Sequence, residues 1–315
     1  MQINIQVLVK GDYIMKQHFE VVVVMAIGPN SKPEYILDTL NSFQYYTTST
    51  HKIILIDNTR KDIGSEIKRA LPDIDIIKID KTSGSMAGLY INLSTAFQHA
   101  LANYQFEAVL KIDDDALVIG ENPEKEAIKL FKENSRIGIA GLHLQGQYPL
   151  VFTGDKWDNN YARQTLLAGT ATWKFLKRPL VNLTLRKLYF KAFFNGYEMG
   201  EYVFGGSYFI SKICLEKLNV AGYLPLYRLK NAVLSEDHMF SLLAKAVGLE
   251  LGDLASGNLP FGLAWKGLPA SPEMLLQKNK KIIHSTRKWE NMGENDIRSY
   301  FKEFRQKNKT LTPSI

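Results

Sequence analysis

Apolar positions in the first half of the chain alternate between short unbroken runs and sets spaced three and four apart, the rhythm of strands feeding helices. The run VVVVMAI at 21–27 reads as a buried parallel strand, and Pro33 then opens a helix with Ile36, Leu37, Leu40 and Phe43 on one face. KIILI at 52–56 gives a second strand ending at Asp57, and 74–79 gives a third. Beyond Gly84 and Ser85, Met86, Leu89, Leu93, Phe97, Ala100 and Leu101 repeat at helical spacing. AVLKI at 108–112 is the fourth strand and terminates in Asp113, Asp114 and Asp115. Asn122, Pro123 and Glu124 follow as cap, first-turn proline and dipole acid of another helix. This alternation predicts an α/β fold with a mostly parallel, Rossmann-like central sheet flanked by helices. Two acidic positions, Asp57 and the Asp113–Asp115 group, then fall at the carboxyl ends of parallel strands, where open α/β sheets bind ligands.

The second half is less regular. A strand is expected at 138–144, and YVFGGSYFIS at 202–211 reads as strand, tight approach at Gly205 and Gly206, strand. Ser235 caps a helix with Met239, Leu242, Leu243, Ala246 and Val247 on one face and Gly248 as its stop. Proline and glycine gather between 252 and 272, which predicts a long loop over a site.

Composition narrows the class. With 315 residues, 45% hydrophobic and 23% charged, the chain is an ordinary folded body of one large or two small domains. Its longest apolar run is far short of the ~18–20 residues that cross a bilayer, and no charged-then-apolar leader opens it. A single cysteine, Cys214, excludes an internal disulfide and a thiolate-rich zinc site and fits a reducing cytoplasm. The formal charge of +7 is unevenly spread: 159–197 holds seven cations and no acid, and 278–309 holds ten cations against four acids. No Gly-x-Gly-x-x-Gly, Walker lysine, His-Glu-x-x-His or Gly-x-Ser-x-Gly occurs, which removes the commonest dehydrogenase, NTPase, zinc-protease and serine-hydrolase readings.

Three adjacent carboxylates repel one another, and the mouth of a buried strand tolerates them best when a hard cation is supplied. Strand alternation turns Asp113 and Asp115 to one side and Asp114 to the other. The plain alternative is an acidic turn capping the next element. Ser235, Glu236 and Asp237 put two carboxylates in the first turn of a helix, either as capping groups or as a base that works where water is excluded. From Trp173 to Tyr197, aromatic residues interleave with Lys and Arg. That stretch reads either as a helix whose cations snorkel over a packed face or as a platform for a sugar chain or an anionic lipid-linked acceptor.

KIDDDALVI, IILIDNT, YVFGGSYFIS, SEDHMF and IIHSTRKW together resemble the GT-A glycosyltransferases, over most of the chain from about 21 to 284. The Gly-Gly and Glu-Asp elements are similar to the β-1,3-galactosyltransferase and Fringe-like branch, and the Glu-Asp pair also to bacterial family-two enzymes. The resemblance implies a GT-A sheet with a smaller mixed acceptor-side region. It implies a nucleotide-sugar donor, UDP-linked by expectation, and Mn²⁺ or Mg²⁺ held by Asp115 and His284. Donor contacts are implied for Ile27, Asp57 (reading the base), Ser85, Asp113, Asp114, Gly205 and Gly206. Asp237 is implied as the base of an inverting transfer and Glu236 as its neighbour at the acceptor. Acceptor contacts are expected from Trp173, Arg186, Lys187, Lys191 and Trp265, on a glycan or lipid-linked hydroxyl.

Animal members of the Fringe-like branch carry a membrane anchor and several cysteines; this chain shows neither, which points to a bacterial-type cytoplasmic enzyme of polysaccharide biosynthesis. Peripheral membrane contact through the basic segments is expected, and nucleic acid is not, since no recognition motif accompanies the charge. The expected organisation is an extension or edge strand over 1–17, a nucleotide-sugar half over 18–150, an acceptor and catalytic half over 151–290, and a basic helix or tail over 291–315. Two rivals remain: a metal-dependent nucleotidyl or phosphoryl transferase, and a non-catalytic basic module that binds membrane or polymer.

Overall fold

The apolar run at 21–27 lies inside an eleven-residue strand, β1 (Gln17–Ile27), and its side chains divide by parity. Val22 and Val24 enter one core, while Val21, Val23, Met25 and Ile27 enter a second core on the opposite face. The two-residue period of a strand requires this division. The computed structural model describes residues 16–79, 87–144 and 177–311. Ser85, Trp173 and the 159–176 part of the acid-free stretch lie outside the described residues.

Along the chain follow α1 (Pro33–Tyr46), β2 (His51–Asp57), α2 (Ile63–Ala70), β3 (Asp75–Lys78), α3 (Ala87–Asn103), β4 (Tyr104–Ile112), β5 (Ala116–Val118), α4 (Pro123–Glu133) and β6 (Ile137–Leu144). The second half adds α5 (Pro179–Phe194), β7 (Tyr202–Ser211), α6 (Lys212–Val220), a 3-10 turn (Tyr227–Leu229), α7 (Glu236–Ala246) and β8 (Glu250–Asp253). Then come β9 (Phe261–Leu263), α8 (Pro272–Gln277), β10 (Ile282–His284), the short pair β11 (Lys288–Trp289) and β12 (Met292–Gly293), and α9 (Glu294–Leu311).

The central sheet runs β3-β2-β1-β4-β7-β6-β8. Its strands are parallel except β7, which is antiparallel to both β4 and β6. Residues of α3, α5, α6 and α7 build the core on one face, and residues of α1, α2 and α4 build the core on the other. This is the expected α/β class with a mostly parallel sheet between helices. The smaller mixed region is a second sheet, β5-β10-β9, in which β10 is antiparallel to β5 and parallel to β9. Leu117, Ile283, Ile297 and Phe301 knit it to α9 in a third core. Among the described residues no helix is long and apolar enough to cross a membrane.

Three local expectations are corrected. The stretch at 202–211 is one continuous strand: 207–211 pair with β4, and 202–203 and 208–210 pair with β6 on either side of an irregularity at the glycines. The span 252–272 is not one long loop: its first residues finish β8, and β9 interrupts it to pair with β10. Asn122 and Ser235 occupy N-cap positions without a side-chain capping bond. Asn122 instead accepts from the Thr48 N–H and hydroxyl, and Ser235 turns its hydroxyl to Asp237 and His238. The basic C-terminal segment forms the helix α9, with Arg298 and Arg305 buried on Asp38 of α1.

Candidate active site

β4 delivers the acidic turn and β10 delivers a histidine to it. His284 pairs in register with Ala116, directly after the Asp triplet. One oxygen each of Asp113 and Asp115 and one nitrogen of His284 lie within 4.8 Å of one another. His284 Nε2 is 3.1 Å from Asp115 Oδ1 and 4.0 Å from Asp113 Oδ2. Its Nδ1 lies 2.9 Å from the Ala264 carbonyl, so the tautomer that donates there leaves the Nε2 lone pair facing the carboxylates. The outer oxygens are committed to the protein: Asp113 Oδ1 to Lys111 Nζ at 2.7 Å, and Asp115 Oδ2 to Ser285 Oγ and Arg287 Nε, each at 2.9 Å. Each carboxylate is therefore anchored by one oxygen and turns the other toward His284.

This donor set, two carboxylate oxygens and an imidazole nitrogen, fits a divalent cation such as Mn²⁺ or Mg²⁺. Burial raises the pKa of Asp113 and of Asp114. Burial pushes Asp115 the same way, but when His284 is protonated on both nitrogens its hydrogen bond and charge, with Arg287 and Ser285, outweigh burial and hold Asp115 below the usual carboxylate range.

The turn is clamped from behind. Arg298 on α9 donates to the Asp114 carbonyl at 2.6 Å and pairs with Asp38 and Glu294, each at 3.0 Å. Thr286 donates its N–H and hydroxyl to the Asp115 carbonyl at 2.8 and 3.0 Å. With its backbone carbonyls held, the turn keeps the Asp113 and Asp115 side chains on the His284 side.

The second carboxylate pair stands across β7. Lys111, fully buried, reaches from Asp113 to Glu236 Oε1 at 3.2 Å and also donates to the Gly205 carbonyl. A Cβ on Gly205 would lie 2.9 Å from Asp237 Oδ2 and 3.1 Å from Glu236 Oε1, and one on Gly206 would lie 2.4 Å from the His284 ring. The two glycines therefore let both groups close onto β7 from opposite sides of its pleat. Burial, reinforced by the charges of Asp237 and Asp113, pushes Glu236 up to about 7 against the pull of Lys111. Asp237 is buried too, but the contacts of its Oδ1 with the His238 ring, the Ser235 hydroxyl and the His238 N–H hold it below the usual range. Its Oδ2 accepts no hydrogen bond among the described residues.

No protein-family model and no curated protein matches the chain. Solved structures do. A WbbM bifunctional glycosyltransferase aligns at 12% identity over 94% of this chain and 52% of its own, with a TM-score of 0.49. The chain thus spans about half the length of that protein. A glycosyltransferase involved in glycosylation of the major capsid of PBCV-1 aligns at 12% identity over 90% and 99% of the two chains, TM-score 0.44. S. aureus TarS 1-349 aligns at 15% identity over 75% and 58%, TM-score 0.39. All three scores fall below 0.5, and the chemistry of the site stands on its own residues.

Other sequence candidates fall in different places. Asp57 is buried and saturated: Oδ1 accepts from the Thr59 N–H and hydroxyl at 2.8 and 2.6 Å, and Oδ2 from the Gly64 N–H at 2.7 Å. It fastens the turn into α2. Ile27 packs into the core and gives its carbonyl to the Asn58 N–H. Asp114 turns away from His284 and hydrogen-bonds Ser31 after β1. Trp265 is exposed, one residue from the carbonyl that holds His284. Arg186, Lys187 and Lys191 lie on α5, in the layer outside α7, and none contacts the Asp–His cluster among the described residues.

Sequence reasoning missed Lys111, Ser285, Arg287 and Arg298. Lys111 carried a signal, because a charge inside AVLKI shares its strand face with Asp113. The other three depend on long-range pairing of β10 and α9.

Proposed function

We propose that the protein is a metal-dependent inverting glycosyltransferase that moves a sugar from a nucleotide-diphosphate sugar, UDP-linked by preference, to a hydroxyl of a glycan or lipid-linked acceptor in cytoplasmic polysaccharide synthesis. One observation carries the reading: a cation-ready Asp113–Asp115–His284 cluster stands at the strand ends, one buried lysine away from an unequal carboxylate pair. The sequence resemblance to GT-A enzymes supports the choice of substrate.

Asp113, Asp115 and His284 would hold Mn²⁺ or Mg²⁺, which would supply charge for the departing diphosphate. Arg287, whose guanidinium is exposed beside Asp115, lies within reach of the same phosphates. Asp237 offers its free Oδ2 to the acceptor hydroxyl and takes the proton as the oxygen bonds to the anomeric carbon. The carbon–oxygen bond to the diphosphate breaks, and nucleoside diphosphate leaves with the electron pair. Glu236 and Lys111 hold Asp237 and Asp113 in their relative places, and the exposed indole of Trp265 offers a face for a sugar ring.

Thermal shift with a panel of nucleotide-sugars, with and without Mn²⁺, tests the donor half. A true donor raises Tm only with the cation, and Asp115→Ala removes that gain while leaving the unliganded Tm close to wild type. Product analysis tests the chemistry: nucleoside diphosphate is expected, and release of pyrophosphate overturns the reading in favour of nucleotidyl transfer.

A further inference from the structure

α5 is apolar on two faces. Leu185, Leu188 and Ala192 enter the core, while the opposite face exposes Leu180 (67%), Leu183, Phe190 (57%) and Phe194 (83%). The outward positions 180, 183, 187, 190 and 194 follow the three-and-four spacing of a single stripe, with Lys187 in it and Lys191 at its flank. A surface helix in a soluble protein normally turns polar residues outward, so a second apolar stripe needs a second apolar environment.

The surroundings fix its charge. The described residues 177–197 hold five cations and no acid, and 221–234, which include the exposed Tyr227 and Arg228, hold no acid either. Arg178, just before α5, donates to the Asn231 carbonyl, and Asn195, just after it, donates to the Lys245 carbonyl at 2.9 Å. α5 therefore runs alongside α7 in the same direction, and its stripe starts near the segment that leads into Glu236 and Asp237. At 1.5 Å per residue the stripe extends about 21 Å from Leu180.

We infer that this face docks the protein on an anionic lipid bilayer, with Leu180, Leu183, Phe190 and Phe194 in the headgroup boundary and Lys187, Lys191 and Arg228 on the lipid phosphates. Aromatic and aliphatic side chains ringed by Lys and Arg match an interface that is apolar beneath and negative at its rim. A second copy of the chain matches it poorly, since a two-fold contact of this face sets Lys187 and Lys191 against their own kind. The inference does not depend on glycosyl transfer, because binding to lipid needs neither donor nor cation.

Flotation of the purified protein with vesicles of phosphatidylcholine alone, or of phosphatidylcholine with phosphatidylglycerol, tests it. At ~0.15 M salt the protein is expected to float with the anionic vesicles only, and rising salt releases it over a Debye length that shrinks from ~8 Å. Leu183→Ser/Phe190→Ser/Phe194→Ser is expected to abolish flotation, and Lys187→Gln/Lys191→Gln to weaken partitioning roughly tenfold. If the triple variant fails to fold, Phe194→Ser alone, at the most exposed position, carries the test through a measurable loss of partitioning. Donor hydrolysis by water is expected to be unchanged in Phe194→Ser, so failure here and failure of the transfer reading are separable. The inference is overturned if wild type stays in the supernatant, or if a folded serine variant floats like wild type. It is also overturned if the serine variant merely converts a wild-type dimer to monomer.

Discussion

Glu236 and Asp237 are chain neighbours pushed in opposite directions, Glu236 up to about 7 and Asp237 below the usual carboxylate range. The difference comes from partners: Asp237 faces His238, Ser235 and a backbone N–H, whereas Glu236 meets only Lys111 against burial and two like charges. Asp237→Asn keeps the shape but cannot take a proton, so turnover is expected to fall by ~10²–10⁴ with donor affinity nearly unchanged, read by steady-state kinetics. If Glu236→Gln shows that loss instead, the base is the other carboxylate. A stability signature follows from the same pair. A carboxyl raised from 4.5 to about 7 in the folded state favours folding most below the unfolded value, and that advantage is lost as pH rises toward 7. The loss amounts to about 3 kcal/mol at ~1.4 kcal/mol per unit. Tm measured from pH 4 to 8 is expected to decline less steeply in Glu236→Gln than in wild type, and parallel curves contradict the shift. Lys111→Met removes the cation shared by Asp113 and Glu236, and about 3–5 kcal/mol of stability at pH 8 is expected to go with it in urea denaturation.

Among the elements, β7 and α9 set the geometry of the site. Because Gly206 faces His284 and Gly205 faces the α7 carboxylates, single alanines separate the two halves. Gly206→Ala displaces the imidazole and is expected to weaken Mn²⁺-dependent donor binding about tenfold or more, whereas Gly205→Ala crowds Asp237 and is expected to lower turnover more than affinity. Calorimetric titration and kinetics on the two variants check this, and identical profiles contradict it. Arg298→Leu unfastens the Asp114 carbonyl and leaves Glu294 without its buried partner. Lower cation affinity is expected alongside a loss of about 3 kcal/mol. Elements were legible in the sequence where local signals agreed: β1, β2 and β4 are apolar runs ending in turn residues or acids, and α1 and α7 carry regular apolar spacing. β9 and β10, three residues each, carry no periodicity of their own and exist through pairing with each other and with β5. The unbroken course of β7 through two glycines is likewise a product of its neighbours. The Asp triplet was legible as chemistry because its position after AVLKI was local. The saturation of Asp57 was not, because it depends on how the turn into α2 closes.

At the scale of the whole molecule, two cores on either face of one sheet make the interior cooperative. Cys214 sits wholly within one of them, and burial pushes its thiol up to about 12. Modification of native protein by a thiol reagent at pH 8 is expected to proceed only through opening of that core, so its rate follows global unfolding in mild urea; rapid modification without denaturant contradicts the packing. The fold class was readable because parallel strands and their helices follow one another in sequence. The assembly of the site was implied by the resemblance alone and not by any local signal, since Asp113, Gly206, Glu236 and His284 come from four distant segments. The partition at β7 bears finally on heredity. Pairing with β4 holds 207–211 in register, so deleting one residue inside that stretch would draw Gly205 into the place of Gly206 and set the side chain of Phe204 against the carboxylates of α7. A lineage carrying this site can drift by substitution along most of the strand, but a change in its length there is all-or-none.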